Sequence, residues 1–264
     1  MTQKGRLVLG AVRAHPRVTA FSSSREVAQL SGVNIGTVTR AAQSLGYSGW
    51  ADLQQEFRAK YLASLSASEV AAEHELQETS PQSSLTQDRA TLSWIDNPKT
   101  TENISRIAEM IARSNRTAVV AQGSYASVGI ALSHNCSIAG YDVSLLTDQA
   151  QMANFIPKLS ENDLVIAINS WRLYSSTHTT LEIAHEKGVP SVLMTDSASS
   201  DIQGLASIFL SIPSESAGFF PSMVGSISVA QAIVVDLVGI DPQRSQQSIR
   251  ASEYGWGKFG LMRE

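Results

Sequence analysis

The chain has 264 residues, 43% of them hydrophobic, and a formal net charge of -4. That length suits two domains, and the apolar content suits buried cores. A single cysteine, Cys136, excludes an intramolecular disulfide and a cysteine-cluster zinc site, and no run approaches the roughly 18–20 apolar residues of a membrane helix.

The basic start, from Met1 to Arg6, lacks the apolar stretch and cleavage site of a secretory signal. The expectation is a soluble cytoplasmic protein with no metal and no cofactor. Charge is unevenly divided: residues 1–65 carry eight Lys/Arg against three Asp/Glu, whereas the remainder carries 12 against 21. A basic first part fits a polyanionic partner, or only a solvated basic face.

In chain order, residues 7–62 lack strand alternation and read as helices broken by Gly32, Gly46 and Gly49. A stretch rich in Ser, Glu and Gln, with Pro81 inside, reads as a linker, although 70–76 has helical character. Helical spacing returns at 85–94 and 103–111, around a break at Asn97-Pro98. The expected boundaries are 1–64 for a helical domain, 65–84 for the linker, 85–242 for a second domain and 243–264 for a tail of no clear character.

Beyond Arg116 the texture changes. Short apolar runs at 117–121, 143–146, 164–168, 191–194 and 208–212 alternate with helical stretches at 128–139, 152–159, 179–187 and 224–238. Such runs, each followed by a helix, predict a doubly wound α/β domain with a five-stranded parallel sheet. The 85–114 helices are expected to pack onto it.

Within the first part, Ser23-Ser24-Arg25-Glu26 has the pattern of a capping box, and Val27, Ala28 and Leu30 are available for burial. Gly32 permits a tight turn, and Asn34 is a good cap for a second helix. Val33 and Val38 occupy the positions of a hydrophobic staple. Val38, Ala41, Ala42 and Leu45 form an apolar stripe that Gly46 ends. The spacing predicts a helix-turn-helix whose second helix exposes Ile35, Gly36, Thr37, Thr39, Arg40 and Gln43. These residues suit a major groove: Arg40 matches guanine O6 and N7, while Asn34, Thr37 and Thr39 match phosphates. An ordinary three-helix bundle would use the same turns.

The segments Ser24-Arg25-Glu26-Val27-Ala28, Gly32-Val33-Asn34-Ile35-Gly36-Thr37-Val38-Thr39-Arg40 and Leu45-Gly46-Tyr47-Ser48-Gly49-Trp50-Ala51-Asp52-Leu53 resemble the N-terminal domain of the RpiR/MurR family of bacterial transcriptional regulators. The run from Leu45 to Trp50 is the most family-specific piece, with Tyr47 and Trp50 supplying hydrophobic mass to a small domain. The segment before Ser23 is short, which implies a shortened first helix relative to that family.

In a doubly wound sheet, ligands bind outside the carboxyl ends of the strands, near the point where strand order reverses. The expected strand ends are rich in hydroxyls: Gly123-Ser124-Tyr125-Ala126-Ser127 after the first, Ser170 to Thr177 after the third, and Thr195 to Ser200 after the fourth. Free amides and hydroxyls at helix starts favour an anion, and Arg172 can pair a phosphate or carboxylate. The candidate effector residues are Gly123, Ser124, Ser127, Ser170, Arg172, Ser175 and Thr177; the plain alternative is caps and turns.

This second half resembles a SIS (sugar isomerase) domain, the effector-binding part of RpiR/MurR regulators. The resemblance implies a sugar phosphate on the loops after the first and third strands. Ser170 and Thr177 match the first serine and the threonine of the family's Ser-x-Ser-Gly-x-Thr run, and Ser175 is a shifted equivalent. This chain lacks the glycine and carries Trp171-Arg172-Leu173-Tyr174 there.

The leading expectation is therefore a non-enzymatic, effector-controlled repressor that binds double-stranded operator DNA as a homodimer or homotetramer. Phe209, Phe219, Phe220, Met223 and the Trp256 region offer apolar surface to share, or serve simply as core. One alternative is a sugar-phosphate isomerase or lyase with an accessory helical domain, for which His178, Glu182 and Asp196 are the nearby acid–base groups. Another is a sensor that acts through protein contacts.

Overall fold

Local chemistry sets the helices of the first unit, Met1–Gln77. The structure is a computed structural model that describes residues 2–66, 68–70, 72, 80–196 and 200–261. The helices of the first unit run α1 (Gln3–Ala14), α2 (Pro16–Phe21), α3 (Ser24–Leu30), α4 (Ile35–Gln43) and α5 (Trp50–Ser64). Pro16 separates α1 from α2, because the residue before a proline is pushed out of helical geometry. The segment before Ser23 is thus a twelve-residue helix and a six-residue one.

The Ser23 capping box forms: Glu26 N–H donates to Ser23 Oγ at 3.3 Å, and Ser23 N–H donates to Glu26 Oε2 at 2.6 Å. Gly32 takes φ of 63°, which closes α3 through Gly32 N–H to Gln29 O and Val33 N–H to Ala28 O. Asn34 Oδ1 then accepts the Thr37 N–H at 2.9 Å and starts α4. Val8, Val27, Val38, Ala41, Ala42 and Trp50 form the core, with Val33 and Tyr47 packed at its edge. Trp50 Nε1 donates to Ser22 O at 3.1 Å, so its polar end is satisfied in the core.

Two expected core residues are not core. Leu30 and Leu45 are exposed. Leu45 falls beyond the end of α4, in the turn through Gly46, so the apolar stripe stops at Ala42.

The second unit, Glu78–Glu264, begins with α6 (Pro81–Ile95) and α7 (Pro98–Arg113). Ser80 and Asn97 cap them, and α6 starts four residues before the apolar spacing that marks it in the sequence. Of the stretch read as a linker, residues 67, 71 and 73–79 lie outside the described residues. The elements that follow are β1 (Thr117–Ala121), α8 (Ala126–Ile138), β2 (Val143–Leu146), α9 (Gln149–Phe155) and β3 (Leu164–Ile168). Then come α10 (Ser175–Glu186), β4 (Ser191–Thr195), α11 (Ser200–Leu205), β5 (Ile208–Ser211), α12 (Val224–Ile240) and α13 (Pro242–Phe259).

The five strands form one parallel sheet in the order β2-β1-β3-β4-β5. Thr117 pairs in register with both Val143 and Leu164. Both faces of the sheet are buried. Val119, Ala121, Ile166, Ile168 and Met194 face the cluster shared with α7, α8 and α12, while Ala118, Val120 and Val165 face that of α9 and α10. Cys136 of α8 is fully buried in the first cluster, and burial pushes its thiol up to about 12.

At the amino end of β3, the buried Asp163 accepts from Ser160 N–H at 2.8 Å and Ser160 Oγ at 2.9 Å, with Arg116 Nε at 3.5 Å. Burial works against its charge, but the Ser160 donors and Arg116 outweigh it and hold the carboxyl below its usual value. No single helix among the described residues is long and apolar enough to cross a membrane. From Gln243, a stretch without character in the sequence, the chain is helical as far as Phe259, because Asp241 caps it and Pro242 suits a first helical turn.

Candidate functional site

On the first unit, α4 presents Ile35, Gly36, Arg40 and Gln43 to solvent, with Thr39 half-buried. Arg40 folds back along the helix: its guanidinium lies over Gly36, at 3.4 Å from the place where a Cβ would stand, and Nη2 reaches Thr37 Oγ1 at 3.4 Å. The absent side chain at Gly36 makes room for that course. Thr39 Oγ1 donates to Ile35 O, and Gln43 Nε2 donates to Ser48 O at 3.3 Å. Thr37 departs from its expected place on the exposed face. It is buried, and its hydroxyl donates to Asn34 Oδ1 at 2.9 Å, because the third residue of a capped helix turns back toward the cap. Asn34 is itself exposed but uses its carbonyl oxygen within the cap.

On the second unit, strand order reverses between β1 and β3, and the loops that follow them meet at the carboxyl edge. Three contacts tie these loops together. Tyr125 Oη donates to Ser170 O at 2.8 Å, Ser176 Oγ donates to Gln122 Oε1, and the Tyr174 hydroxyl stands over Gly123. A Cβ on Gly123 would be 2.9 Å from that hydroxyl, and the residue takes φ of 58°. Both features favour glycine at this position. Burial, then the Asp196 carboxylate and Tyr174, pushes the Tyr125 phenol well above its usual value, so it stays a neutral donor.

The residues that replace the expected glycine run are braced from behind. Asn169 donates to Ser170 O and Arg172 O, both at 2.9 Å, and accepts the Tyr174 N–H at 3.2 Å. Trp171 adopts φ of 62°, a left-handed conformation that a bulky residue rarely takes. Its N–H donates to both oxygens of Asp196, at 2.8 and 3.0 Å, and its ring meets Phe219 edge-on at 5.5 Å. Ser214 Oγ also donates to Asp196.

Of the expected effector residues, Gly123, Ser124, Arg172 and Ser175 are exposed at this edge. Ser127 is exposed too, with its hydroxyl turned back to Ser124 O at 2.7 Å. Ser170 and Thr177 are buried, so their side chains are not open to solvent in this conformation. Of the loop after β4, Ser197, Ala198 and Ser199 lie outside the described residues. Beside the edge, between α9 and α10, a groove of about 240 Å³ has a floor of Met152, Ile156 and Ile183 and a rim of Gln149, Ser175 and Ser176.

Gln122, Tyr125, Trp171, Tyr174, Ser176, Asp196 and Ser214 complete the edge. A polar Gln122 straight after a buried strand was a readable signal; nothing in the sequence points to Ser214. His178 Nδ1 and Glu182 Oε2 lie 3.2 Å apart on α10. Among the described residues, no group of three or more His, Cys, Asp or Glu is placed to hold a metal ion. Phe209 and Met223 are half-buried against interior clusters, whereas Phe220 is exposed.

Residues 110–237 match the SIS domain family. Among solved structures, the chain is similar to the Vibrio vulnificus NanR protein complexed with ManNAc-6P, at 19% identity and a TM-score of 0.60, covering 100% of this chain and 96% of that one. It is similar to the sugar isomerase domain of an RpiR transcription factor from Sphaerobacter thermophilus, at 27% identity and a TM-score of 0.61, covering 67% of this chain and 99% of that one. A Methanococcus jannaschii protein, whose structure infers a 3-hexulose-6-phosphate isomerase function, matches at 10% identity and a TM-score of 0.50, covering 62% and 94%. The five-stranded parallel sheet and its flanking helices are those of a SIS domain.

Proposed function

We propose that the chain is a transcriptional repressor that binds double-stranded operator DNA through α3 and α4, used as a helix-turn-helix. Its affinity is set by a small anionic metabolite, a sugar phosphate, held in the SIS domain. The observation that carries this reading is the pairing of an exposed, capped α4 in a basic unit with a SIS domain in an acidic one. Ile35, Gly36, Thr39, Arg40 and Gln43 supply the groove face, Asn34 sits at its amino end, and Thr37 positions Arg40. The likeness to NanR, whose complex holds ManNAc-6P, and to an RpiR factor supports a regulator with a sugar-phosphate effector.

In this reading the protein works as a homodimer or homotetramer, because one helix-turn-helix gains specificity from a second half-site about 34–36 Å away. Effector at the loops after β1 and β3, with Arg172 on its charge and the groove between α9 and α10 beside it, favours one of two arrangements of the paired copies. The recognition helices then lose their match to the half-sites. The test is selection of an operator from random duplex DNA, followed by titration with and without metabolites chosen by a thermal-shift screen. Failure to select any sequence at moderate salt would remove the DNA reading.

A second reading, a sugar-phosphate isomerase, rests on the His178–Glu182 pair one turn apart on the helix that borders the groove. Turnover of a sugar-phosphate panel by the purified protein would favour it.

A further inference from the structure

On the exposed face of α4, Ile35 alone is large and apolar. It is 43% exposed and lies outside the cluster of Val8, Val27, Val38, Ala41, Ala42 and Trp50 that packs the unit. Local preference does not account for it either. A β-branched residue is a weak helix former, and first turns favour Asp or Glu, whereas this one has no acid. A lone exposed isoleucine means little by itself. Its setting gives it a use.

Arg40 stands one turn further along α4, yet its guanidinium lies back over Gly36, the residue next to Ile35. Nη1 and Nη2 are 3.4 and 3.7 Å from the place where a Gly36 Cβ would stand, and Nη2 meets Thr37 Oγ1 at 3.4 Å. Thr37 is buried, and both its N–H and its hydroxyl donate to Asn34 Oδ1 at 2.9 Å, so the oxygen that Arg40 meets is fixed. Gly36 is therefore a slot that holds a planar cation at the level of the first turn.

Successive Cα atoms are about 3.8 Å apart, close to the roughly 3.4 Å between stacked base pairs. An apolar tip on residue 35 and a guanidinium over residue 36 thus span one base step. The chemistry of each identifies its target. A guanidinium pairs O6 and N7 of guanine, and the 5-methyl of thymine is the apolar group of the major groove.

We propose that Ile35 is a base-reading residue, which packs on a thymine methyl while Arg40 holds the guanine of the neighbouring base pair. Each half-site of the operator then contains a T·A pair directly beside a G·C pair. This deepens the operator-binding reading given above and rests on it.

The experiment starts from a duplex selected by the full chain from random DNA. Affinity at matched salt is compared for that duplex, for one with deoxyuridine in place of the thymine, and for one with 7-deazaguanine in place of the guanine. The first change removes only the methyl; the second replaces N7 with carbon. Wild type is expected to lose about fourfold per half-site on the first and about tenfold on the second. Ile35→Ala is expected to bind the thymine and deoxyuridine duplexes equally, with circular dichroism unchanged. In Gly36→Ala a Cβ displaces the guanidinium, so the 7-deazaguanine loss is expected to shrink. The inference is overturned, while DNA binding stands, if an operator is selected without a T·A pair beside the guanine. The same holds if wild type ignores the methyl, or if the variants keep the full losses. If no sequence is selected, DNA binding itself falls, and the inference with it.

Discussion

The two units display their polar groups in opposite ways. On α4 of the first unit, Arg40 and Gln43 are exposed, and their hydrogen bonds among the described residues are long, at 3.3–3.4 Å, within their own helix and turn. At the sheet edge of the second unit, Tyr125, Asn169, Ser176 and Asp196 are bound to the chain itself. In the proposed reading, the α4 face would meet DNA at the loss of only these long contacts. A ligand that reaches the buried part of the edge would, in the same reading, replace bonds the protein already makes, as a two-state response requires.

The comparison breaks most visibly if the first unit is unfolded alone. Trp50→Ala removes the largest side chain of a small core and its bond to Ser22, and is expected to destabilise that unit by about 3–5 kcal/mol. A thermal scan should show an early transition, with the second unit's melt in place; one shared shift would mean that the units do not melt separately.

In the second unit, Asp163→Ala is expected to cost about 1.5–3 kcal/mol at neutral pH, since a buried charged acceptor and its two Ser160 bonds are lost. Because the folded carboxyl titrates below its unfolded value, its contribution is present above the ordinary Asp range and is lost as pH falls through the depressed value. Urea denaturation from neutral pH into that acid range should therefore show wild type and variant converging. A constant gap would contradict the assignment.

Arg40→Ala should leave the fold intact and weaken operator binding by about 1–3 kcal/mol for each copy's lost base contact. A salt-matched titration on the selected operator checks this, and unchanged affinity would move base reading elsewhere on α4.

The smallest effect is expected at Tyr174. Tyr174→Ala clears the hydroxyl from Gly123 and should tighten binding of the screened metabolite about tenfold, near one hydrogen bond's worth. Calorimetry that shows weaker binding would make Tyr174 a ligand contact instead.

The sheet was readable because its strands are buried on both faces and appear as unbroken apolar runs such as Leu164–Ile168. Helix starts were harder. α10 begins at Ser175, four residues before its apolar spacing, since its first turn consists of hydroxyl residues that look like loop. The turns around Gly32 and Asn34 were legible because capping chemistry is local. Trp171 on Asp196, with Ser214 behind it, was not, because residues far apart in sequence meet there only after the sheet forms. Thr37 misled for a related reason: helical spacing gives a face, but a cap bond to Asn34 turns the side chain inward.

Cys136 has a practical consequence. It is the chain's single thiol, fully enclosed and almost wholly protonated at neutral pH, so alkylating dyes have no reactive thiolate to find. A cysteine placed at exposed Gln43 or Phe259 would then be labelled selectively in an otherwise native protein. Fluorophores at those two positions would report on the α4 face and on α13 without first stripping a native residue from the core.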